Sequence, residues 1–308
     1  MGKARGGFIG CDHGTTALRF AVNGGATFSM ERERAAGMEA SALLSTVLSS
    51  LDVRASDVGL IALSYSMGDA IDAITPIRLV RDRGVCSQQG AGAPVGGGTR
   101  WYDAVAASGL PAVVVPGVHR GTYGDPRFRV FSHGASGEKV GLCFGVAASG
   151  HRDFVVADVS ANTVSLAVRG GVLLGAIDAS IFAPGTRQGP LDVELLRRVD
   201  GGELTADQAF SSAGPMSRRV FPSAEEAEDA VALFAAMELA GLGLLTPGGE
   251  AFLAGGLGSN PDFSARVSRL LGRPATPLGE FAAARGMAAL ARAVHGGAED
   301  ALGIPVKR

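Results

Sequence analysis

The sequence predicts an α/β protein built in two lobes. Two observations carry this. A run of strand, strand, strand, helix, strand occurs twice along the chain. Each run also opens with an apolar strand that ends in aspartate and turns back through small hydroxyl or amide residues. With 308 residues, 46% of them apolar, the chain is long enough for one large core or two ordinary ones.

In the first run, strands are expected at 8–10, 17–22 and 26–30. The turns between them are Gly14-Thr15-Thr16 and Asn23-Gly24-Gly25, the second a strong hairpin signal. Residues 39–51 carry Leu43, Leu44, Val47, Leu48 and Leu51 at helical spacing, and 59–64 reads as a buried strand. The Gly-, Ala- and Gln-rich stretch 86–98 reads as a loop, followed by a short helix at 101–108 and a strand at 112–115. Helical character at 138–148 precedes the second run, whose strands are expected at 154–158, 163–168 and 172–177. Helices follow at 191–199, 205–213, 223–242, 261–271 and 280–294. Ser223 with Glu226, and Thr205 with Gln208, have capping-box spacing. The boundary is expected near 131–134. The lobes are then 1–132 and 133–308, with the last helix, about 279–295, a candidate to pack back on the first lobe.

Composition excludes several classes. The formal net charge of −2 gives no basic footprint for nucleic acid. No apolar run approaches the ~18 residues of a membrane span, and the basic start meets Asp12 too soon for a signal peptide, so a cytoplasmic protein is expected. Cys11, Cys86 and Cys143 are few and far apart, which argues against a disulfide framework or a zinc site. The lysines are Lys3, Lys139 and Lys307, and none stands in a Gly-Lys-Ser/Thr loop.

The first turn has the parts of an anion cradle. Gly14 allows a tight backbone, and the N–H groups of Gly14, Thr15 and Thr16, with two hydroxyls, can converge on phosphate oxygens. Asp12 at the strand end can hold Mg²⁺ through water. Taken alone, the same residues also suit an ordinary hairpin that satisfies its own backbone. The second turn repeats the pattern with Asp158, Ser160, Asn162 and Thr163. Two such turns, one from each lobe, would grip a polyphosphate, which is the positioning that phosphoryl transfer needs. A third element, "FLAGGLGSNPDF", runs a buried strand into Gly255, Gly256 and Gly258, then opens a helix with Asn260 and Pro261; it is either a place for a flat group or a plain strand-to-helix turn.

The order of Gly-x-Asp-x-Gly-Thr-Thr, a second Asp-ended hairpin and an apolar strand into Gly-Gly-x-Gly resembles the superfamily of acetate and sugar kinases, actin and heat-shock ATPases. "APGTRQGPLD" (183–192) is similar to the GTR-x-G-x-L-D segment of acetate kinases, "FSHGAS" (131–136) to their FHG-T-S segment, and "LAGGLGSN" to their adenosine loop. Over the whole chain, "GCDHGTT", "PGVHRG", "FSHGASGEKV", "DVSANTVSL", "GAIDASI" and "GPLDVELLRRVDGGELTADQAFS" resemble an archaeal family, methanogenesis marker protein twelve.

The resemblance implies a duplicated ribonuclease-H-like (actin-like ATPase) fold, two lobes with a nucleotide cleft between them, binding ATP and Mg. Asp12, Gly14, Thr15, Thr16, Ser160, Asn162, Gly255, Gly256 and Gly258 would contact nucleotide, and Asp12 and Asp158 its metal. Arg187 and His133 would steady the transferring phosphoryl. The resemblance departs in two places. The acid that acetate kinases carry for the acyl end is replaced by Pro116-Gly117 in "VVVPGVHRG", and their HLGNG turn by Asp-Val-Ser-Ala-Asn. Asp69 and Asp125 remain as candidate bases, or else as solvated loop acids or helix caps. His119 and Arg120 either bind an anionic substrate or pair with loop acids, and 90–100 is either a candidate ligand cover or a flexible surface insertion. The expected function is an ATP/Mg-dependent phosphotransferase for a small anionic metabolite linked to methanogenesis. The alternatives are an ATPase switch or assembly factor with a protein partner from methanogenesis, or a nucleotide-binding protein without turnover. A homodimer is an open alternative.

Overall fold

The computed structural model describes residues 7–64, 69–81, 83 and 96–308; Cys86 and the first part of the candidate ligand cover, 90–95, lie outside them. The chain forms two compact units. The first is Met1–His151 with Gly171–Leu173 and Phe281–Arg308; the second is Arg152–Gly170 with Leu174–Glu280.

The first unit opens with the meander β1 (Gly7–His13), β2 (Ala17–Val22) and β3 (Thr27–Glu31). Pairing of Asp12 with Arg19 and of His13 with Leu18 carries β1 past the expected 8–10, so Asp12 lies inside the ladder. Gly24, at φ +68°, makes the tight turn between β2 and β3. Then follow α1 (Arg32–Gly37), α2 (Ala40–Ser50), β4 (Val58–Ser64), β5 (Thr75–Pro76), α3 (Gly97–Ser108), β6 (Ala112–Val115), the short ribbon β7 (Val118–His119) and β8 (His133–Ala135), and α4 (Gly137–Ala148). The six-stranded sheet has the order β3-β2-β1-β4-β6-β5, with β1, β4 and β6 mutually parallel. Helix α1 was not expected, and α3 starts at Gly97 rather than at 101. Packing explains the early start: a side chain at Gly97 would stand 2.6 Å from the Arg32 carbonyl, so glycine lets α3 close on α1. Trp101 is thereby buried, edge-on to Phe20 at 4.8 Å, in a core with Ile9, Leu18, Val47, Ile61 and Leu63.

The second unit repeats the design. Its sheet strands are β9 (Phe154–Val159), β10 (Thr163–Arg169), β11 (Val172–Asp178), β12 (Glu250–Ala254) and β13 (Ala275–Pro277). Between β11 and β12 come α5 (Val193–Asp200), α6 (Ala206–Ser211), the single turn α7 (Pro215–Arg218) and the long α8 (Ala224–Gly243); between β12 and β13 come α9 (Gly255–Gly258) and α10 (Pro261–Leu271). The order β11-β10-β9-β12-β13 matches β3-β2-β1-β4-β6, with an antiparallel hairpin followed by parallel neighbours in both. The caps form as the sequence indicates. Thr205 and Gln208 make a complete capping box, Ser223 accepts from Glu226 N–H, and Asn260 accepts from Asp262 and Phe263 ahead of Pro261.

The chain ends in the first unit with α11 (Ala282–His295), β14 (Asp300–Ala301) and β15 (Ile304–Pro305). Helix α11 packs on β1 and α4. The approach is so close that a side chain at Gly10 would run into the Ala284 carbonyl, and one at Gly286 into the Gly141 carbonyl. Among the described residues no helix is long and apolar enough to cross a membrane.

Candidate functional site

In the first unit, the carboxyl ends of parallel strands gather polar groups, where α/β sheets place their ligands. Asp12 and His13 end β1, Ser64 ends β4, and the amino end of α4 presses on Ser64, since a Cβ at Gly137 would stand 2.7 Å from the Ser64 Cβ. Asp12 is 5% exposed. Its carboxylate lies 3.7 Å from the Arg19 guanidinium and 3.8 Å from the Lys139 ammonium. Lys139 is also 3.6 Å from the buried Glu138 carboxylate, which accepts the Ser64 hydroxyl at 2.6 Å and the Ser136 hydroxyl. Burial alone would push the Glu138 carboxyl up; Lys139 chiefly, with the two hydroxyls, outweighs this and holds it below its ordinary range. The His13 ring is driven the other way, to about 4, by burial and then by the Arg32 and Lys139 charges against the pull of Glu138, so it is neutral at neutral pH.

The turn beyond Asp12 is tight. A side chain at Gly14 would stand 2.6 Å from the Ala17 carbonyl. Arg32 braces the turn: its guanidinium donates to Gly14 O at 3.1 Å and its backbone N–H to Thr16 O at 2.9 Å. Thr15 and Thr16 are exposed.

In the second unit Asp158 is the penultimate residue of β9, as Asp12 is of β1, and the returning strand starts the same number of positions later in each. Here glycine backbone and a hydroxyl press on the carboxylate. Gly255 has φ +81°, and a Cβ on it would stand 2.5 Å from the Ser160 hydroxyl and closer still to the Asp158 carboxylate. Ser160 accepts the Gly256 N–H at 2.9 Å, and Gly258 packs against Val159. The Ser160–Asn162 turn is backed by 185–188, whose N–H groups at Thr186, Arg187 and Gln188 donate to Ser160 O and Ala161 O at 2.9–3.1 Å. Gly214 N–H donates to Arg187 O at 2.7 Å. The Arg187 main chain is thus fixed while its side chain is exposed. Asn162 donates to Asp178 at 3.3 Å. Behind it Glu238, 2% exposed, accepts the Ala183 N–H at 3.3 Å; burial pushes its carboxyl up to about 8, so it is neutral at neutral pH.

The remaining candidates resolve differently. His119 accepts the Gly121 N–H on Nδ1, which leaves Nε2–H to donate to Ile71 O at 2.9 Å; both nitrogens hold a chain corner and none is left for an anion. Arg120 donates to the Arg129 carbonyl. His133 lies in the β7–β8 ribbon of the first unit, in register with His119. Asp125 caps the turn Pro126–Val130 and pairs with Arg127 at 2.5 Å; those hydrogen bonds hold its carboxyl at about 2, far below the range a general base needs. Asp69 is exposed.

Within the first unit the structure therefore brings together Asp12, Gly14, Thr15 and Thr16; within the second, Asp158, Ser160, Asn162, Gly255, Gly256 and the Arg187 backbone. Sequence reasoning missed Ser64, Ser136, Glu138 and Lys139. The usable signal was Lys139 itself, an acid-base pair in the first helical turn of a chain nearly devoid of lysine. Among the described residues no group of three or more His, Cys, Asp and Glu could hold a metal by itself. A single carboxylate from each unit, Asp12 or Asp158, suits Mg²⁺, whose remaining positions are filled by water and phosphate oxygens. The Cβ position of Gly255 is taken by Asp158 and Ser160, so glycine there lets the start of α9 close directly on the Asp158 carboxylate.

No family model matches the chain. It is 44% identical over 320 residues to a UPF0285 protein of Methanosarcina mazei, covering 97% of this chain and 98% of that protein. It is 36% identical over 325 residues to a UPF0285 protein of Methanococcus maripaludis strain C5, again with 97% and 98% covered. Among solved structures it is similar to a ROK family protein from Streptococcus pneumoniae TIGR4 in complex with sucrose. The TM-score is 0.50 at 14% identity, over 92% of this chain and 96% of that one, a likeness of fold alone. Two mixed α/β units with matching sheet orders are the actin-like ATPase fold.

Proposed function

Because the chain belongs to the UPF0285 family of Methanosarcina and Methanococcus and has the actin-like ATPase fold, we propose that it is a Mg²⁺- and ATP-dependent phosphotransferase acting on a small anionic metabolite in a methanogenesis-linked process. One observation supports this above the rest: the same aspartate-ended hairpin occupies the same ladder position in both units, with hydroxyl donors in each turn. ATP with Mg²⁺ would supply a phosphoryl group to an acceptor oxygen, leaving ADP. In the first unit Gly14, Thr15 and Thr16 would donate to phosphate oxygens, and Asp12 would hold the metal's water shell. In the second, Asp158 would do the same, Ser160 and Asn162 would orient phosphate, and Gly255, Gly256 and Gly258 would leave room for the nucleoside. Arg187, with its backbone fixed and its guanidinium exposed, is built to brace a transferring group, and His133 is assigned the same role from the first unit.

Pro116 and Gly117, both buried at the place where acetate kinases carry an acid, favour a second reading, an ATPase switch for a protein partner. Thermal denaturation with Mg²⁺-ATP, followed by phosphate and ADP release with and without small carboxylic and phosphorylated acids, separates the two. Ligand at a hundredfold excess over Kd stabilises by about 2.7 kcal/mol, a visible shift. Turnover stimulated by one acid supports the phosphotransferase. Binding with acid-independent turnover supports the switch. No shift with Mg²⁺-ATP, or turnover unchanged in Asp12→Asn and Asp158→Asn, defeats both.

A further inference from the structure

The first unit surrounds its hairpin turn with more positive than negative charge. Arg32 donates to Gly14 O at 3.1 Å, the Arg19 guanidinium comes within 2.9 Å of where a Cβ on Gly14 would be, and the Lys139 ammonium is 3.8 Å from Asp12. Against these three cations stand two carboxylates, Asp12 and Glu138, which leaves one net positive charge among the five groups. The side chains of Arg19, Asp12, Lys139 and Glu138 are all between 4% and 14% exposed, so solvent and salt screen them weakly.

Lys139 sits between the two carboxylates. Its ammonium is 3.8 Å from Asp12 and 3.6 Å from Glu138, and both distances exceed the ~2.7–2.9 Å of a charge-assisted hydrogen bond. Glu138 is held separately by the Ser64 and Ser136 hydroxyls, and Asp12 has Arg19 at 3.7 Å. A lysine carries its charge on a flexible stem with three donors. The ammonium can therefore turn toward an anion at the Gly14 turn while Arg19 stays on Asp12 and the hydroxyls stay on Glu138. A metal meets the opposite condition: with Lys139 and Arg19 both on Asp12, a cation arriving alone enters a site that is already positive.

We propose that Lys139 is a phosphate-binding residue of the first unit: its ammonium exchanges Asp12 for a phosphate oxygen, and Asp12 is thereby released to the metal's water shell. The metal then enters with the phosphates and not ahead of them. This rests on the phosphotransferase reading of the Gly14 turn, and it adds a residue and an order of binding which that reading leaves open.

The intact protein is titrated by calorimetry with pyrophosphate in metal-free buffer and, separately, with Mg²⁺ alone. The Mg²⁺ titrations carry Asp158→Asn, which removes the carboxylate of the second unit. Pyrophosphate is expected to bind, and Mg²⁺ to bind weakly until pyrophosphate is present. Lys139→Gln, checked for folding by circular dichroism, is expected to weaken pyrophosphate roughly tenfold or more, the loss of a charge-assisted hydrogen bond. The same variant should strengthen Mg²⁺ alone, because Asp12 loses a competing cation. A merely structural role would lower both affinities together. Lys139→Arg should stay near the wild type, and Lys307→Gln, which removes the same charge from an exposed position, should change neither. Glu138→Gln keeps Lys139 and removes its other carboxylate, so it should strengthen pyrophosphate, and it carries the test if Lys139→Gln does not fold. No pyrophosphate binding by the wild type overturns the inference. So does unchanged pyrophosphate affinity in Lys139→Gln, a fall in both affinities there, weaker pyrophosphate binding in Glu138→Gln, or Mg²⁺ binding as tightly alone as with pyrophosphate. A parallel thermal shift with Mg²⁺-ATP keeps the two readings apart. Pyrophosphate binding through Lys139 without Mg²⁺-ATP binding defeats the phosphotransferase and leaves Lys139 standing. Mg²⁺-ATP binding in a protein whose pyrophosphate affinity ignores Lys139 defeats only this inference.

Discussion

Asp12 and Asp158 occupy the same rung of two sheets with the same strand order, yet their surroundings are built from different materials. Around Asp12 the chain uses charge: Arg19, Lys139 and Glu138, with the Ser64 and Ser136 hydroxyls anchoring the last. Beside Asp158 the turn itself is held by backbone: Gly255 and Gly256 against Ser160, and three main-chain hydrogen bonds from 186–188 to Ser160 and Ala161. A repeated fold thus fixes where a carboxylate stands and leaves its neutralisation to local sequence. The first site should respond to charge and acid, the second to steric change.

The largest effect is expected from Lys139→Met. Removing one member of a buried charge cluster leaves the others uncompensated and costs about 3–5 kcal/mol. The Lys139 side chain is 11% exposed and Glu138 4%, so solvent cannot replace the ammonium. Glu138, held low in the native protein, would rise; the loss is therefore full at neutral pH and shrinks as the pH falls and the carboxyl protonates. Urea denaturation at pH 7 and pH 5 reads both parts. A loss below about 1 kcal/mol at pH 7 would mean that the cluster is not what neutralises the first site.

Gly255→Ala tests the other side. The added methyl must accept φ +81° and meet Ser160 and Asp158 together. Strain and overpacking together cost roughly 2–3 kcal/mol. The loss should be the same at pH 5 and pH 7, because no charge is removed, and nucleotide binding measured by calorimetry should fall with it. A pH-dependent loss would break the contrast between the units.

How much of this was legible in sequence follows from the same contrast. Hairpins, helix caps and the repeated Asp turns are local signals. The Asn23-Gly24-Gly25 turn, the Thr205–Gln208 box and the Asn260-Pro261 start were readable because the groups that bond are neighbours in the chain. Glu138 was not, because Ser64 is 74 positions away and only the parallel pairing of β1, β4 and β6 brings their carboxyl ends to α4. The early start of α3 was hidden for a similar reason: glycine is a poor helix former, and only close packing on Arg32 makes it the residue of choice at position 97. His119 misled in the opposite direction. Its two nitrogens are consumed by backbone at Gly121 and Ile71, which a sequence does not display.

The smallest effect, and the one of opposite sign, is expected at Glu238 in the second unit. Its carboxyl is raised from 4.5 to about 8, by burial first and by Asp178 besides, against weaker support from Ser165 and the Ala183 N–H. Below pH 4.5 the group is protonated folded and unfolded, and stability carries no penalty. Between 4.5 and about 8 the unfolded chain releases the proton while the folded one keeps it, so stability falls as pH rises and levels off above the folded value. His13 in the first unit has the reverse slope: neutral when folded down to about 4, it costs stability as the pH falls from 6.5. Glu238→Gln keeps the shape and an acceptor for Ala183, removes the ionisation, and should stabilise by roughly 1–3 kcal/mol at pH 8 and by nothing measurable at pH 4.5. His13→Gln should flatten only the acid limb. If Glu238→Gln shifted the acid limb instead, or left pH 8 stability unchanged, Glu238 would be ionised in the folded chain, and the backbone-built character of the second unit would fail with it.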